Sequence, residues 1–381
     1  MKIGIVGGKL QGVEAAYLAG KAGWETTVID RLPDPPASGL CRRSIRVDIT
    51  SQTDLRRILQ PFDLVLPALE NRKVLSYLRK HAHQDGPTIL FDFDAFELSA
   101  SKMESNRLFE AMNIPMPASY IDGTFPVIVK PSHGSGSKGV VIIHDAKSLR
   151  AHLATISGAC VVQNFVQGPS YSLEIVGMPG NYQPLQVTEL EMDAHFDCKR
   201  VMAPSGLPRD IGLKFEKMAF ILAEALGLKG LMDIEVILDG EVLRILEIDA
   251  RLPSQTPISV YASTGFNMLK ALADSFMDPA NHGCIVDMPQ KGVVFEHIHV
   301  CHNKLTVMGE HIMSSQGVLH LKRRFFGADE AITNYAVGQE EWVATLIITA
   351  ENRDSALQKR ERVIGDIMKF FHLDTYDDSH P

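Results

Sequence analysis

Residues 231–256, LMDIEVILDGEVLRILEIDARLPSQT, constrain this chain more than any other stretch. Two aliphatic runs meet at Asp239-Gly240, a dipeptide that favours a hairpin turn, so the segment reads as two antiparallel strands. Acids interrupt both runs where a buried strand should be apolar. Glu247 and Asp249 are two apart and share a face of their strand, while Ile248 points the other way. Whether Asp233 and Glu235 join them depends on the turn. A two-residue loop at Asp239-Gly240 would set Glu235 opposite Arg244, on the wrong face. A three-residue loop of Leu238, Asp239 and Gly240, with Gly240 left-handed in a bulge, pairs residues of like parity. We expect that turn, because it gathers Asp233, Glu235, Glu247 and Asp249 on one face. Four acids so placed repel one another unless a cation sits among them, and an oxygen donor set with room for water and phosphate suits Mg²⁺. Arg251, two residues beyond Asp249, reaches the same volume and can hold a carboxylate or a transferring phosphoryl group. The structural alternative is an edge hairpin with its polar face in water.

The chain ahead of this hairpin changes texture once. Residues 2–6 are apolar and end in glycines, 11–22 carry helical spacing that stops at Gly23, and 26–30 are apolar again. The alternation continues through 45–49, 63–67 and 88–91, which predicts a parallel sheet covered by helices on both faces. After residue 98, Ser101 and Glu104 form a capping box, and the apolar runs 125–130 and 140–143 flank the Ser/Gly-rich flap PSHGSGSKG. A third run, 160–165, precedes Gln167-Gly168. The chain thus divides into an α/β domain over 1–98, a small α+β lid over 99–170 and a larger mixed-sheet domain over 171–381. The terminal DDSHP is expected to fray, and the histidines from His297 to His302 are expected to pack rather than to bind metal.

The first turn, Gly7-Gly8-Lys9-Leu10-Gln11-Gly12, with Asp30 closing the second strand, invites a dinucleotide reading. It fails at the third loop position, where Lys9 would crowd an approaching pyrophosphate. A tight strand-to-helix turn, or a small-ligand site at the carboxyl ends of the strands, remains open. Glu70 follows the strand DLVLP and projects at the same edge, where it could hold a cation or simply favour a helix start. The net charge of −8 argues against nucleic acid as a partner. No apolar run is long enough to span a bilayer, so no membrane partner is expected. The five cysteines lie far apart, without zinc or redox spacing. They read as reduced thiols of a cytoplasmic protein, monomeric or homodimeric.

Lys102, in the first turn of its helix, and Lys130, closing an apolar strand, are each weak signals, because surface lysines are common. Taken in order, Lys102, Lys130 with its flap, the strand VVQNFVQG and the EIDAR segment resemble the ATP-grasp signature. The resemblance implies an ATP-grasp fold: a Rossmann-like pre-ATP-grasp sheet, a lid and a mixed-sheet catalytic domain. It implies ATP and Mg²⁺ as cofactors, with phosphates on Lys102, Lys130 and Ser137. Adenine would be read by backbone groups at Gln163, Asn164, Phe165 and Val166, and Mg²⁺ held by Glu235, Glu247 and Asp249. Lys9, Asp30, Asp48 and Ile49 are taken as further cofactor contacts. Gln163 stands where the family often has glutamate, and Asp249 where many members have asparagine.

GGKLQGVEAAYLAGKAGW, VLPALEN, LFDFDAFELS, FDC, LKGLMDIEV and EIDARLPSQTP further resemble the branch that joins 3-methyl-D-ornithine to L-lysine in pyrrolysine biosynthesis. That implies lysine near Leu10, Gln11 and Glu70. It implies 3-methylornithine near Ser172, Leu173, Glu174, Asp233, Arg251, Ser254, Gln255 and Thr256, with Arg251 and Lys130 as catalytic residues. A sister ligase with another amino-acid pair is the nearest alternative. A nicotinamide-dependent oxidoreductase would explain Gly7, Gly8, Gly12 and Asp30 but leave the clustered acids and Lys130 without a task. A non-catalytic ATP-binding regulator would be expected to lack one of the acids.

Overall fold

Short apolar runs separated by helices give the N-terminal part a parallel sheet: β1 (Lys2–Val6), β2 (Glu25–Asp30), β3 (Arg43–Arg46), β4 (Leu64–Pro67) and β5 (Thr88–Ile89). A computed structural model describes residues 1–52, 55–81, 86–121, 123–134, 136–278 and 290–379. The strand order β3-β2-β1-β4-β5 changes direction at β1, which opens a crevice at the carboxyl ends of β1 and β4. The glycines of the first turn serve packing there. Gly7 has φ +103°, and a Cβ on Gly12 would meet the Gly7 carbonyl oxygen at 2.2 Å. Asp30 closes the turn by accepting from the Gly8 N–H at 2.8 Å and the Leu32 N–H at 2.9 Å. The third strand lies earlier than expected, because Asp48 accepts from the Thr50 N–H and turns residues 49–51 into a 3₁₀ segment.

The second sheet is antiparallel, with β6 (Val127–Pro131) between β7 (Val141–Ile143) and β8 (Cys160–Asn164). Its core is small: Val127, Val129, Ile143 and Leu149. Ser101 caps the helix Lys102–Ala111 by accepting from the Glu104 N–H, as expected.

The third sheet begins with β9 (Ser170–Met178), β10 (Asn181–Pro184), β11 (Thr188–Met192) and β12 (Cys198–Ala203). It continues with β13 (Gly230–Asp239), β14 (Val242–Asp249), β15 (Gly292–Cys301) and β16 (Lys304–Val307). The last strands are β17 (His320–Phe325), β18 (Ala328–Thr333), β19 (Trp342–Ala350) and β20 (Thr375–Asp377). The main path runs β14-β13-β9-β11-β12-β15-β19-β18-β17. The helix Arg353–Phe371 covers β15, β18 and β19.

Helix Leu10–Lys21 locks the first sheet to the third. Its Glu14 accepts from the Ile258 N–H at 2.9 Å, and Asn267 Nδ2 donates to Leu18 O at 2.8 Å. Ile3, Leu18 and Leu66 then share one apolar cluster with Val260, Leu272 and Phe295. The C-terminal tail does not fray as far as Ser379: Asp378 is 2.6 Å from Lys199 Nζ and 2.7 Å from Arg200 Nη2. Partners 178 and 179 residues away hold a segment that looked free from its own composition.

Candidate active site

The acids gather as the strand pattern requires, by a different route from the expected turn. Asp233 pairs with Asp249 and Glu235 with Glu247, directly opposite across β13 and β14. Asp239 pairs with Val242, so the loop is the two-residue Gly240-Glu241, with Gly240 at φ +62°. Parity is restored further on, between Glu235↔Glu247 and Val236↔Ile245, where Leu246 is the extra residue of a bulge. The three-residue turn is therefore corrected to a tight turn plus a bulge beside the acids. On the other side of β13, β9 sets Glu174 opposite Asp233 and Ser172 opposite Glu235, and the Ser172 hydroxyl hydrogen-bonds to Asp233.

Burial raises the carboxyl pKa of Glu235, and Glu247, Asp233 and Asp249 raise it further. Burial also pushes Asp249 to about 7, Asp233 to about 6 and Glu174 to about 8, the last with help from Asp233. Glu247 differs: burial opposes its charge, but Lys102, Lys130 and Arg251 hold it below the usual carboxylate range. The face thus holds more carboxyls than its own cations keep ionised. Such a set of carboxyl oxygens fits a hard divalent cation, with Glu235, Glu247 and Asp249 as the central donors.

Three cations border this face. Lys102 Nζ lies 2.8 Å from Glu247 Oε2 and donates to Gly134 O in the flap at 3.0 Å. Burial and the neighbouring Lys102 lower the pKa of Lys130, against the pull of Glu247. Arg251 Nη2 reaches Glu70 Oε1 at 2.7 Å and Asp249 Oδ2 at 2.9 Å. Gln11 Nε2 donates to the same Glu70 oxygen at 3.0 Å. The Glu70–Arg251 pair therefore joins the edge of the first sheet to the end of β14.

Two cavities meet at the acids. One, of about 500 Å³, is lined by Lys102, Lys130, Ser137, Asn164, Phe165, Val166, Glu235 and Glu247. The other, of about 670 Å³, is lined by Leu10, Gln11, Glu70, Asp233, Asp249, Arg251, Ser254, Gln255 and Thr256. Glu235, Glu247 and Ser137 line both. The flap sits over the junction: Ser137, at φ +54°, donates through its hydroxyl to Phe196 O at 2.6 Å, and a Cβ on Gly136 would strike the His311 ring at 2.1 Å.

Some expected contacts fall elsewhere. Lys9, Asp30, Asp48 and Ile49 line the larger cavity on the side of the first sheet, and do not join Lys102 and Lys130. Gln163 is buried with its amide donating to Pro117 O at 3.0 Å, because strand alternation turns it away from the cavity that Asn164 faces. Leu173 points into the apolar core with Ile175 and Ile234, while Ser172 and Glu174 lie behind Asp233.

The sequence reading missed Glu310. It lines the larger cavity, its Oε2 is buried without a hydrogen-bond partner, and burial raises its pKa. Arg251 Nε and Gln255 Oε1 are buried and unpartnered as well. Gln255 is held at φ +72°, with its Nε2 donating to Cys198 O at 3.1 Å. Asp197, paired with His311 Nδ1 at 2.9 Å, completes this wall. The one local signal for Glu310 was an acid after Gly309 in the otherwise apolar TVMGEHIM.

A model of the ATP-grasp domain matches residues 99–255. A 3-methyl-D-ornithine–L-lysine ligase of Methanosarcina acetivorans is 31% identical over 359 residues, covering 93% of this chain and 94% of its own. The ligase of the same description from Methanosarcina mazei is 33% identical over 313 residues, 81% of each chain. Among solved structures, the biotin carboxylase–β-γ-ATP complex of Campylobacter jejuni superposes with a TM-score of 0.75 at 15% identity, over 96% of this chain and 91% of that one. At that identity the likeness is one of fold.

Proposed function

The chain belongs to the ATP-grasp family, and from that premise we propose that it joins 3-methyl-D-ornithine to the ε-amine of L-lysine at the expense of ATP. The observation that carries the reading is the pair of joined cavities. A nucleotide-sized chamber bordered by Lys102 and Lys130 opens, across the shared acids Glu235 and Glu247, onto a chamber whose lining includes Glu70, Asp233, Asp249 and Arg251.

In this reading Asn164, Phe165 and Val166 border the adenine, while Lys102, Lys130 and Ser137 face the phosphates. Glu235, Glu247 and Asp249 would hold Mg²⁺, which would supply neutralisation of phosphate charge. The ornithine carboxylate attacks the γ-phosphorus in line, giving an acyl phosphate and ADP. Arg251, oriented through Nη2 by Glu70 and Asp249, steadies the acyl phosphate with its remaining N–H groups. The neutral lysine amine attacks the acyl carbon, the bond from that carbon to the phosphate oxygen breaks, and the nitrogen gives up a proton to the departing phosphate or to water, leaving the amide. Asp233 and Glu310 on the cavity wall, with Glu174 behind Asp233, are carboxyls whose ionisation the ammonium groups of a diamino acid would favour. Glu70 and Gln11, at the edge of the first sheet, are placed to receive the lysine.

Support for the substrate pair comes from relatives above 30% identity that align over most of their length. The test is to incubate the protein with MgATP, D-ornithine and L-lysine, measuring ADP by chromatography and product by mass. ADP release that needs both amino acids, with a product equal to their sum less one water, is the expected result. ADP release with other amino acids alone moves the substrate assignment, and failure to bind ATP sinks the ligase reading altogether.

A further inference from the structure

The end of β15 carries side chains that the ligase chemistry does not use. His299 and Cys301 are two apart and share a face of the strand. β19 pairs with β15 through His299↔Val343 and Val300↔Trp342, so Glu341, just before β19, falls opposite Cys301. The ligand atoms of these three residues, an imidazole nitrogen, a sulfur and a carboxylate oxygen, lie within 4.8 Å of one another. His299 Nε2 is 3.2 Å from Glu341 Oε1. His302, at φ +55° in the turn between β15 and β16, brings its Nδ1 to 2.9 Å from the Cys301 sulfur.

We propose that His299, Cys301 and Glu341 bind a zinc-class cation that ties the end of β15 to the start of β19. The donor set argues for the ion. Nitrogen and sulfur donors select zinc or cobalt over magnesium, which prefers the oxygen-only face of β13 and β14. In a tetrahedral zinc site, with bonds of about 2.0–2.3 Å, ligand atoms lie roughly 3.3–3.7 Å apart. The imidazole–carboxylate separation is already near that value, and side-chain rotation closes the others. Three protein ligands leave a fourth position for water. His302 supplies the outer hydrogen bond: with its proton on Nδ1, it donates to the thiolate that a bound cation creates. Burial and the adjacent Glu341 charge raise the pKa of the Cys301 thiol, and a cation between the two relieves that repulsion.

Cobalt provides a readout that does not depend on the ligase reaction, because thiolate ligation gives a sulfur-to-cobalt charge-transfer band. The full-length protein, dialysed against chelator, is titrated with Co²⁺ and then with Zn²⁺. Expected are a charge-transfer band that saturates at one equivalent and its displacement by Zn²⁺. Cys301→Ser should lose the band while keeping the wild-type circular dichroism melt, and His302→Ala should weaken binding by about 10–100-fold. Cys198→Ser, which alters the thiol beside the larger cavity, should leave the band intact. Absence of the band in the wild type, its persistence in Cys301→Ser, or its loss in Cys198→Ser alone would overturn the site.

Discussion

Two clusters of charge lie on the same sheet, and they are built in opposite ways. On β12, β15 and the last helix, Glu296 is fully buried between two arginines. It accepts from Arg200 Nε at 2.9 Å and from Arg360 Nε at 2.8 Å, while Asp378 takes Arg200 Nη2 at 2.7 Å and Arg360 Nη2 at 3.1 Å. Each acid there has cations assigned to it, and the network closes on itself. On β13 and β14, acids face acids across the ladder, and Asp233 and Asp249 are pushed toward neutrality. Burial and then three neighbouring carboxylates raise the carboxyl pKa of Glu235, against the pull of Arg251. A closed network holds a fold together, whereas an open one stores repulsion that a bound cation and substrate ammonium groups release.

The same substitution made in each cluster should give opposite results. Glu296→Gln removes the fully buried one of the two acids that Arg200 and Arg360 share, leaving only Asp378 between them, and should destabilise the protein by about 3–5 kcal/mol in thermal or urea unfolding. Glu235→Gln removes one of four mutually repelling acids, so its melt without divalent cation should match or exceed that of the wild type. Its ADP formation should fall by about 10²–10³-fold, the scale of losing one group that stabilises transition-state charge. If Glu235→Gln melts as early as Glu296→Gln, the distinction between closed and open clusters is wrong. If it keeps full activity, Glu235 is not a cation ligand.

The open cluster was largely legible in the sequence and the closed one was not, for a physical reason. Side chains alternate strictly along a strand, so Glu247 and Asp249 share a face whatever surrounds them. The bulge at Leu246 escaped because parity says only that one extra residue is needed, not where it goes. Glu310 and His311 escaped because they arrive from beyond β16, about 60 residues after Asp249, and a wall assembled across such a separation leaves no local period. Asn164, Phe165 and Val166 line the smaller cavity, while the Gln163 side chain faces away, because alternation along β8 fixes which side chains reach a cavity. In the closed cluster each partner taken alone looks like an ordinary surface charge. Asp378 was read as part of a fraying tail because the cations that hold it lie far along the chain.

Asp378 also supplies the smallest test of the comparison, through pH. Burial works against its charge, but Lys199, Arg200 and Arg360 outweigh burial and hold its carboxyl well below the usual carboxylate range. A group with a depressed folded pKa contributes stability that is fully present above its unfolded value, near 3.9 for an aspartate. That contribution is lost as pH falls below that value toward the folded one. Asp378→Asn should therefore cost about 1–2 kcal/mol at neutral pH, less than Glu296→Gln because Tyr376 and Glu296 still engage Arg360. The gap between wild type and variant, read from thermal melts, should narrow steadily as pH drops below about 4. A gap unchanged on acidification would mean that shape rather than charge holds the tail, and no gap at neutral pH would mean that the network closes without it.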